Sequence, residues 1–94
     1  MIIDPEFHQR YGPVAVVAGA SEGIGRAYAH ALAEKGLDLV LIARRRDLLE
    51  TEATLLRRRH RVNVETVSLD LGAPDLAERF TAAIDGKDVG LFVY

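Results

Sequence analysis

The sequence predicts an α/β fold in which helices cover both faces of one parallel β-sheet. Short apolar runs alternate with longer stretches of helical periodicity along the 94 residues. The order is strand, helix, strand, helix, strand, helix and strand, and helical crossovers make the joined strands parallel. The first, second and fourth runs are apolar throughout, which is typical of strands covered on both faces. We therefore expect a partial doubly wound sheet with the strand order 3-2-1-4.

The first strand and the first helix follow from two local patterns. Val14–Ala18 is a continuous apolar run that stops at Gly19, and the next block, Ile24–Gly36, has apolar residues at helical spacing. Gly36 stands where the end of a helix favours a left-handed residue. The spacing predicts that one face of this helix is buried. The residues of that face are Ile24, Ala27, Tyr28, Ala31 and Leu32.

The second strand and the second helix repeat this arrangement. Leu39–Ala43 is another short apolar run, and residues 46–60 again show helical spacing. We expect Asp47 to cap the start of this helix, because its carboxylate can accept a hydrogen bond from a free backbone amide there. The predicted buried side consists of Leu48, Leu49, Ala53, Leu55 and Leu56.

The remaining residues predict two strands around a third helix. Val62–Leu69 alternates valines with polar residues, as a strand does, and Pro74 suits the first turn of the helix that follows. Val89–Tyr94 predicts a fourth strand at an open edge of the sheet. An apolar edge strand promotes aggregation, so we expect a further strand or a partner chain to cover it. The apolar stripe of the third helix consists of Leu76, Ala77, Phe80, Ala83 and Ile84.

The loop between the first strand and the first helix contains the glycines Gly19, Gly23 and Gly25. Glycines let the backbone approach a diphosphate closely, and the free N–H groups of the following helix attract the anion. A plain strand-to-helix turn is the alternative. A nucleotide-triphosphate loop is excluded, because Arg26 and Ala27 replace the required Lys-Ser or Lys-Thr. The predicted diphosphate-binding residues are Gly19, Ser21, Glu22, Gly23, Ile24 and Gly25.

The end of the second strand predicts which dinucleotide binds. A carboxylate there bonds the ribose hydroxyls of NAD, whereas an arginine accommodates the 2′-phosphate of NADP. Ala43 ends the strand and Arg44 follows it, so we expect NADP(H), with NAD(H) the weaker ligand. Arg44 is the predicted main phosphate contact and Arg45 a helper, because a guanidinium can bind a phosphate with two parallel hydrogen bonds. The alternative is that these arginines form only a solvated loop.

The segment AGASEGIGRAYAHALAEKG resembles the short-chain dehydrogenase/reductase family, whose loop pattern is T-G-x-x-x-G-x-G. Ala18 stands where the family usually has threonine. The resemblance runs from about Tyr11 to Tyr94, and the segments GIGRAY, LVLIAR and DVGLFV look most like 17β-hydroxysteroid dehydrogenases and very-long-chain 3-oxoacyl-CoA reductases. It implies that residues 1–94 form one partial Rossmann-like NAD(P)-binding domain, with residues 1–12 as a lead-in. The implied enzyme is an oxidoreductase that acts on a ketone or a secondary alcohol.

The resemblance also assigns the adenine side of the site. Asp70 matches a family aspartate that accepts a hydrogen bond from the adenine amino group, and the backbone N–H of Leu71 would meet the ring. The alternative for Asp70 is a strand-end aspartate that caps the helix that follows.

The family's catalytic residues, as the resemblance implies them, are a serine, a Tyr-x-x-x-Lys pair and an asparagine. The lysines of this chain are Lys35 and Lys87, and alanines stand four residues before both of them. Tyr94 lies on a predicted strand and has no lysine partner. We therefore expect no catalytic residue here, and a chain that is the cofactor-binding fragment of a longer, homo-oligomeric enzyme. The alternatives are a non-catalytic dinucleotide-binding module and another α/β nucleotide binder, and the glycine spacing argues against the latter.

Composition limits the other functions. The formal net charge is −2, so no strong field gathers nucleic acid or anionic membrane. The basic run Arg57–Arg61 fits the C-terminal end of a helix, where cations are favoured. The chain has no cysteine, which excludes disulfides and thiolate metal sites, and its scattered histidines predict no metal site. Neither a signal peptide nor a long apolar span stands in the sequence, so we expect a cytoplasmic protein.

Overall fold

The computed structural model describes residues 13–70 and 72–93. The predictions for the lead-in, for Leu71 and for Tyr94 lie outside the described residues. No helix within these two ranges is long and apolar enough to cross a membrane. The strands are β1 (Val14–Ala18), β2 (Asp38–Ala43), β3 (Val64–Ser68) and β4 (Val89–Val93), and the helices are α1 (Gly23–Glu34), α2 (Arg46–His60) and α3 (Leu76–Ile84).

The strands form one parallel sheet in the predicted order β3-β2-β1-β4. Ala18 at the end of β1 lies opposite Ile42, and Ala43 at the end of β2 lies opposite Ser68 at the end of β3. Because all the strands run in one direction, their carboxyl ends share one edge of the sheet. The loops after β1, β2 and β3 therefore emerge side by side, at the edge where open α/β sheets bind ligands.

Alternate residues of the strands enter two separate cores, one on each face of the sheet. α1 and α2 cover one face, where Val17 and Leu41 are fully buried. α3 covers the other face, where it packs near Val16, Val40 and Ile42. Continuous apolar strands are stable in this arrangement because each face has its own layer of helix. The doubly wound architecture predicted from the sequence is confirmed.

The buried face of α1 differs from the predicted one. Ile24 is 77% exposed and Tyr28 is 49% exposed, and Ala27 and Ala31 are exposed as well. The buried residues of this helix are Ala29, Leu32 and Ala33. Of the predicted face Leu32 is buried, and its buried neighbours are alanines, because Gly25 brings the first turn of α1 against the preceding loop and close approach of a helix to its sheet favours small side chains.

The buried face of α2 agrees with the prediction at most positions. The predicted residues that it buries are Leu49, Ala53 and Leu56. Leu48 is half-buried, while Leu55 is 45% exposed. Glu52, which was not predicted, is buried among the leucines. The apolar stripe of α3 is less buried than predicted, since Ala77 is exposed and the other members are half-buried.

Two predicted helix starts need correction. Pro74 precedes α3, whose N-cap is Asp75, because the Leu76 N–H donates to the Ala73 carbonyl at 3.2 Å and closes a turn before the helix begins. Asp47 is not the cap of α2 but lies inside its first turn, and Arg45 occupies the N-cap position.

The end of α1 confirms the prediction for Gly36, which has a φ of +88°. Its N–H donates to the Ala33 carbonyl at 2.9 Å, and the Leu37 N–H donates to the Leu32 carbonyl at 3.3 Å. This pair of bonds is a Schellman motif, which satisfies carbonyls that the helix leaves free. The motif turns the chain into β2 and places Leu37 in the core.

β4 is less buried than predicted. Gly90 and Phe92 are exposed, and Leu91 and Val93 are half-buried. Among the described residues β4 pairs with β1 alone. α3 reaches it through Phe80, whose ring lies edge-on to that of Phe92 with 5.4 Å between centroids. The predicted open edge is confirmed, but the part of the chain that the structure describes does not cover both faces of this strand.

Candidate functional site

A cleft of about 660 Å³ opens at the carboxyl edge of the sheet, within the ~300–1,000 Å³ range of ligand pockets. It is bounded by the loop after β1, the turn after β2 and the end of β3, the segments from which the sequence predicts a dinucleotide site. The lining residues are Gly19, Ser21, Glu22, Ala43, Arg44, Arg45, Leu69 and Asp70. Gly23, Ile24 and Gly25 form the first turn of α1, and Leu71 lies outside the described residues.

The backbone of the β1–α1 loop requires glycine at two positions. Gly19 has a φ of +71° and Gly23 a φ of +56°, a left-handed conformation that residues with a Cβ atom rarely adopt. The loop is fixed to β2, because the N–H groups of Gly19 and Ala20 both donate to the Ile42 carbonyl, at 2.7 and 3.2 Å. The loop therefore has a defined shape at the mouth of the cleft.

Gly25 is required for a different reason, which is space. A Cβ atom on this residue would lie 2.1 Å from the Gly19 carbonyl oxygen, 2.7 Å from the Gly19 carbonyl carbon and 3.2 Å from the Ala18 carbonyl oxygen. All of these atoms belong to the backbone, which cannot move aside as a flexible side chain can. The absence of a side chain at Gly25 thus allows the helix and the loop to touch.

The first turn of α1 presents amide groups that no side chain caps. Glu22 is the N-cap residue, and its side chain makes no capping hydrogen bond. The Arg26 N–H donates to the Glu22 carbonyl at 3.3 Å. The N–H groups of Gly23, Ile24 and Gly25 precede this bond, where a helix lacks its own acceptors and carries the positive end of its dipole. This arrangement suits an anion such as a diphosphate.

Arg44 and Arg45 lie in the turn after β2 and are both exposed, but their contacts differ. Arg45 forms an ion pair with Asp47, with 3.1 Å between Nη2 and Oδ2. A hydrogen bond from the Leu48 N–H and then the Arg45 guanidinium hold the pKa of Asp47 below its usual value of 3.8. The backbone of Arg44 is tied to β3, because the Ser68 hydroxyl donates to its carbonyl at 3.0 Å.

The charges of the cleft partly cancel. Arg44 and Arg45 line it together with Glu22 and Asp70. Since Arg45 is occupied by Asp47, Arg44 is the cation of the cleft whose guanidinium has no ion-pair partner in residues 13–70 and 72–93. An additional anion in this cleft would therefore meet Arg44 first.

Asp70 does not cap the helix that follows, because the N-cap of α3 is Asp75. Oδ1 of Asp70 accepts a hydrogen bond from the Gly72 N–H at 2.9 Å, so the carboxylate stabilises the turn after β3. The same residue lines the cleft and is exposed. Oδ1 accepts the hydrogen bond that closes the turn, and Oδ2 is the carboxylate oxygen that remains for a ligand.

Sequence reasoning missed the role of Glu52. This carboxylate is buried on α2 and bonds Arg26 and His30 of α1. A signal was present, because Glu52 interrupts the apolar stripe of Leu49, Ala53 and Leu56, and a buried acid requires partners. Which residues those partners are depends on how α1 packs against α2, and the periodicity of a single helix carries no information about that packing.

Comparison with known proteins relates residues 13–91 to a family model described as short chain dehydrogenase. A 7beta-hydroxysteroid dehydrogenase of Clostridium sardiniense is 36% identical over 88 residues, which are 94% of this chain and 34% of that protein. The very-long-chain 3-oxoacyl-CoA reductase-B of Danio rerio is 35% identical over 82 residues, 87% of this chain and 26% of that protein.

A solved structure of L-sorbose reductase from Gluconobacter frateurii, complexed with NADPH and L-sorbose, superposes with a TM-score of 0.81 at 30% identity. The match covers 88% of this chain and 32% of that one. The chain thus spans about a quarter to a third of the length of the proteins that it matches.

Proposed function

The chain belongs to the short-chain dehydrogenase family, and we propose that it is the NADP(H)-binding part of an oxidoreductase that interconverts a ketone and a secondary alcohol. The observation that carries this proposal is the convergence of the glycine loop, the arginine turn and Asp70 on one cleft. The sequence alone predicts a dinucleotide contact for each of these segments. Any parallel sheet brings the ends of its strands to one edge; what favours a dinucleotide is that these ends supply a glycine loop, a cation and a carboxylate to the same cleft.

The first turn of α1 and the β1–α1 loop would hold the diphosphate. The uncapped amides of Gly23, Ile24 and Gly25 supply donors and a favourable dipole. The open side of the loop supports this assignment, because a Cβ atom on Gly19 or Gly23 would meet nothing within 4 Å. The space beside both α-carbons is therefore open on the side of the loop that would face the ligand.

Arg44 would bind the 2′-phosphate that distinguishes NADP from NAD. Arg44 lines the cleft and directly follows Ala43, the last residue of β2. A carboxylate at this strand end would favour NAD. Arg45 would bind the same phosphate only after its ion pair with Asp47 is broken. The NADPH complex of L-sorbose reductase supports the same preference by analogy. Asp70 and the N–H of Leu71 would meet the adenine ring.

When bound, the dinucleotide supplies or accepts the hydride, and the residues of this chain bind and orient it. We propose that the substrate pocket and the proton-transferring groups belong to further polypeptide, because the chain spans about a third or less of the relatives' length. The names of the relatives, a hydroxysteroid dehydrogenase, an oxoacyl-CoA reductase and a sorbose reductase, support a carbonyl or secondary alcohol as the reacting group.

Calorimetric titration of the purified protein with NADPH and NADH tests the proposal. We expect NADPH to bind more tightly, and Arg44→Ala to weaken NADPH about tenfold or more, since a charge-assisted hydrogen bond contributes roughly 1.5–3 kcal/mol. NADH affinity should hardly change. Arg46→Ala is the matched control, because Arg46 is an exposed neighbour that does not line the cleft. Failure to bind either dinucleotide would refute the function, and equal weakening of both would refute the role of Arg44.

A further inference from the structure

A buried carboxylate joins the two helices that lead away from the cleft. Glu52 lies on α2 and is only 7% exposed. Its Oε1 is 2.8 Å from Arg26 Nε, and its Oε2 is 2.9 Å from His30 Nε2. Each carboxylate oxygen therefore has its own nitrogen partner, and both partners lie on α1, one helical turn apart.

Stability alone does not account for a carboxylate at this position. Burial of a charge is costly, and apolar residues that replace a whole buried ion pair often stabilise a protein as well as the pair does, although removal of one partner alone destabilises it. The neighbours of Glu52 on the same face of α2, Leu49, Ala53 and Leu56, are apolar and buried. What a bidentate acceptor adds, and a leucine does not, is a fixed direction and distance between two helices.

The cluster lies close in sequence to both halves of the candidate site. Arg26 directly follows Gly25, which touches the carbonyl of Gly19 in the loop, so a shift of α1 moves the loop as well. α2 begins at Arg46, immediately after the arginine turn. Contacts between Glu52 and α1 therefore act together with the hydrogen bonds from the loop to the Ile42 carbonyl in restricting the distance from the glycine loop to the arginine turn.

We propose that Glu52 is a positioning residue that sets the glycine loop and the arginine turn at the separation a dinucleotide requires. The inference rests on the proposed function, and it assigns Glu52 no contact with the ligand. Glu52 acts through Arg26, which is the partner nearer the loop, and through His30. The side chain of Arg26 is half exposed, but its Nε faces Glu52, so its orientation is fixed by the carboxylate.

His30 has additional contacts that hold it in place. Its ring meets that of His60 edge-on, with 6.3 Å between centroids. Glu34 and Arg59 line the same groove between α1 and α2. Because the ring contact with His60 does not involve Glu52, we expect the loss of the carboxylate to affect Arg26 and the loop more than His30.

Variants of Glu52 separate positioning from stability. Glu52→Gln keeps the shape but removes the charge, and Glu52→Leu replaces the acid with an apolar residue of similar size. We expect both variants to weaken NADH on the order of fivefold, as a displaced loop would, and NADPH at least as much, because its 2′-phosphate also needs the arginine turn in place. Glu52→Leu leaves Arg26 able to turn to solvent, since that side chain is already half exposed, so this variant should stay folded and still bind weakly. Glu78→Gln, the same change on an exposed residue of α3, is the control.

A double variant tests whether Glu52 acts through Arg26. Arg26→Gln should weaken both dinucleotides, and the pair Arg26→Gln with Glu52→Gln should bind no more weakly than the worse single variant. Additive losses would overturn this route.

The outcomes also separate this inference from the function on which it rests. Dissociation constants are measured at a temperature where circular dichroism shows each variant folded. A folded Glu52→Gln protein that binds both dinucleotides as the parent does refutes the positioning role alone. Loss of NADPH affinity with NADH affinity unchanged would also refute it, because both ligands place their diphosphate on the glycine loop. A parent protein that binds neither dinucleotide refutes the proposed function itself.

Discussion

Gly25 is the residue on which the geometry of the glycine loop depends most directly. A methyl group here would lie 2.1 Å from the carbonyl oxygen of Gly19, far inside van der Waals contact. We expect Gly25→Ala to lower the free energy of unfolding by roughly 1–3 kcal/mol, as overpacking does, and to weaken dinucleotide binding because the loop must move. Chemical denaturation and calorimetry measure the two effects. In Gly72→Ala the new methyl comes no closer than 3.4 Å to another residue's side chain, so this control should lose less, and parent-like behaviour of Gly25→Ala would contradict the prediction.

The sequence predicts which residues line the cleft better than it predicts what they contact. Gly19, Arg44 and Asp70 follow the ends of three parallel strands, and strand topology alone brings such positions together. The pairing of Arg45 with Asp47 and that of Asp70 with the Gly72 amide depend on rotamers and on turn shape. The pattern of residue types carries no information about rotamers or turn shape. It therefore predicts Asp47 as a helix cap and misses its ion pair with Arg45.

At the scale of the element, α1 shows why hydrophobic periodicity can select the wrong face. Ile24 and Tyr28 are the large apolar residues near its start, and they are exposed. The buried residues are the smaller Ala29 and Ala33 together with a single leucine, Leu32. The contact between Gly25 and the loop sets the rotation of the helix about its axis, and close approach to the sheet then favours small residues. The helix itself is correctly predicted, but which of its faces is buried depends on the contact between Gly25 and the loop.

The groove between α1 and α2 should make stability depend on pH. Burial, and then the charges of Arg59 and His30, lower the pKa of His60 from its ordinary value of 6.5. The unfolded chain therefore binds this proton more readily than the folded chain, so stability falls as the pH drops through about 6.5. We expect the free energy of unfolding to decline more steeply between about pH 7.5 and pH 5.5 in the parent than in His60→Gln. Urea denaturation across this range is the measurement, and parallel profiles would show that His60 does not contribute.

For the whole molecule, the sheet edge at β4 is the feature that governs association. Among the described residues this strand pairs with β1 alone, and its side chains include Phe92, which is 46% exposed. A free apolar edge is a template for pairing with another chain. We therefore expect residues 1–94, produced alone, to self-associate in a concentration-dependent way that Phe92→Lys reduces.

Analytical ultracentrifugation measures this association. Tyr28→Lys is the matched control, because Tyr28 is similarly exposed but lies on α1 instead of the edge strand. If both lysine variants reduce association equally, the cause is general apolar surface and not the edge. A parent chain that stays monomeric at high concentration would contradict the prediction outright.

The carbonyl of Ile42, which accepts hydrogen bonds from both Gly19 and Ala20, has a consequence for altering cofactor preference by protein engineering. The acceptor is a backbone atom one residue before β2 ends, so exchanging side chains at Arg44 or Arg45 leaves it in place. Inserting or deleting a residue in that turn would instead pull on the strand end and, through it, on the neighbouring loop. A turn transplanted from an NAD-specific enzyme should therefore match the original in length before its sequence is optimised.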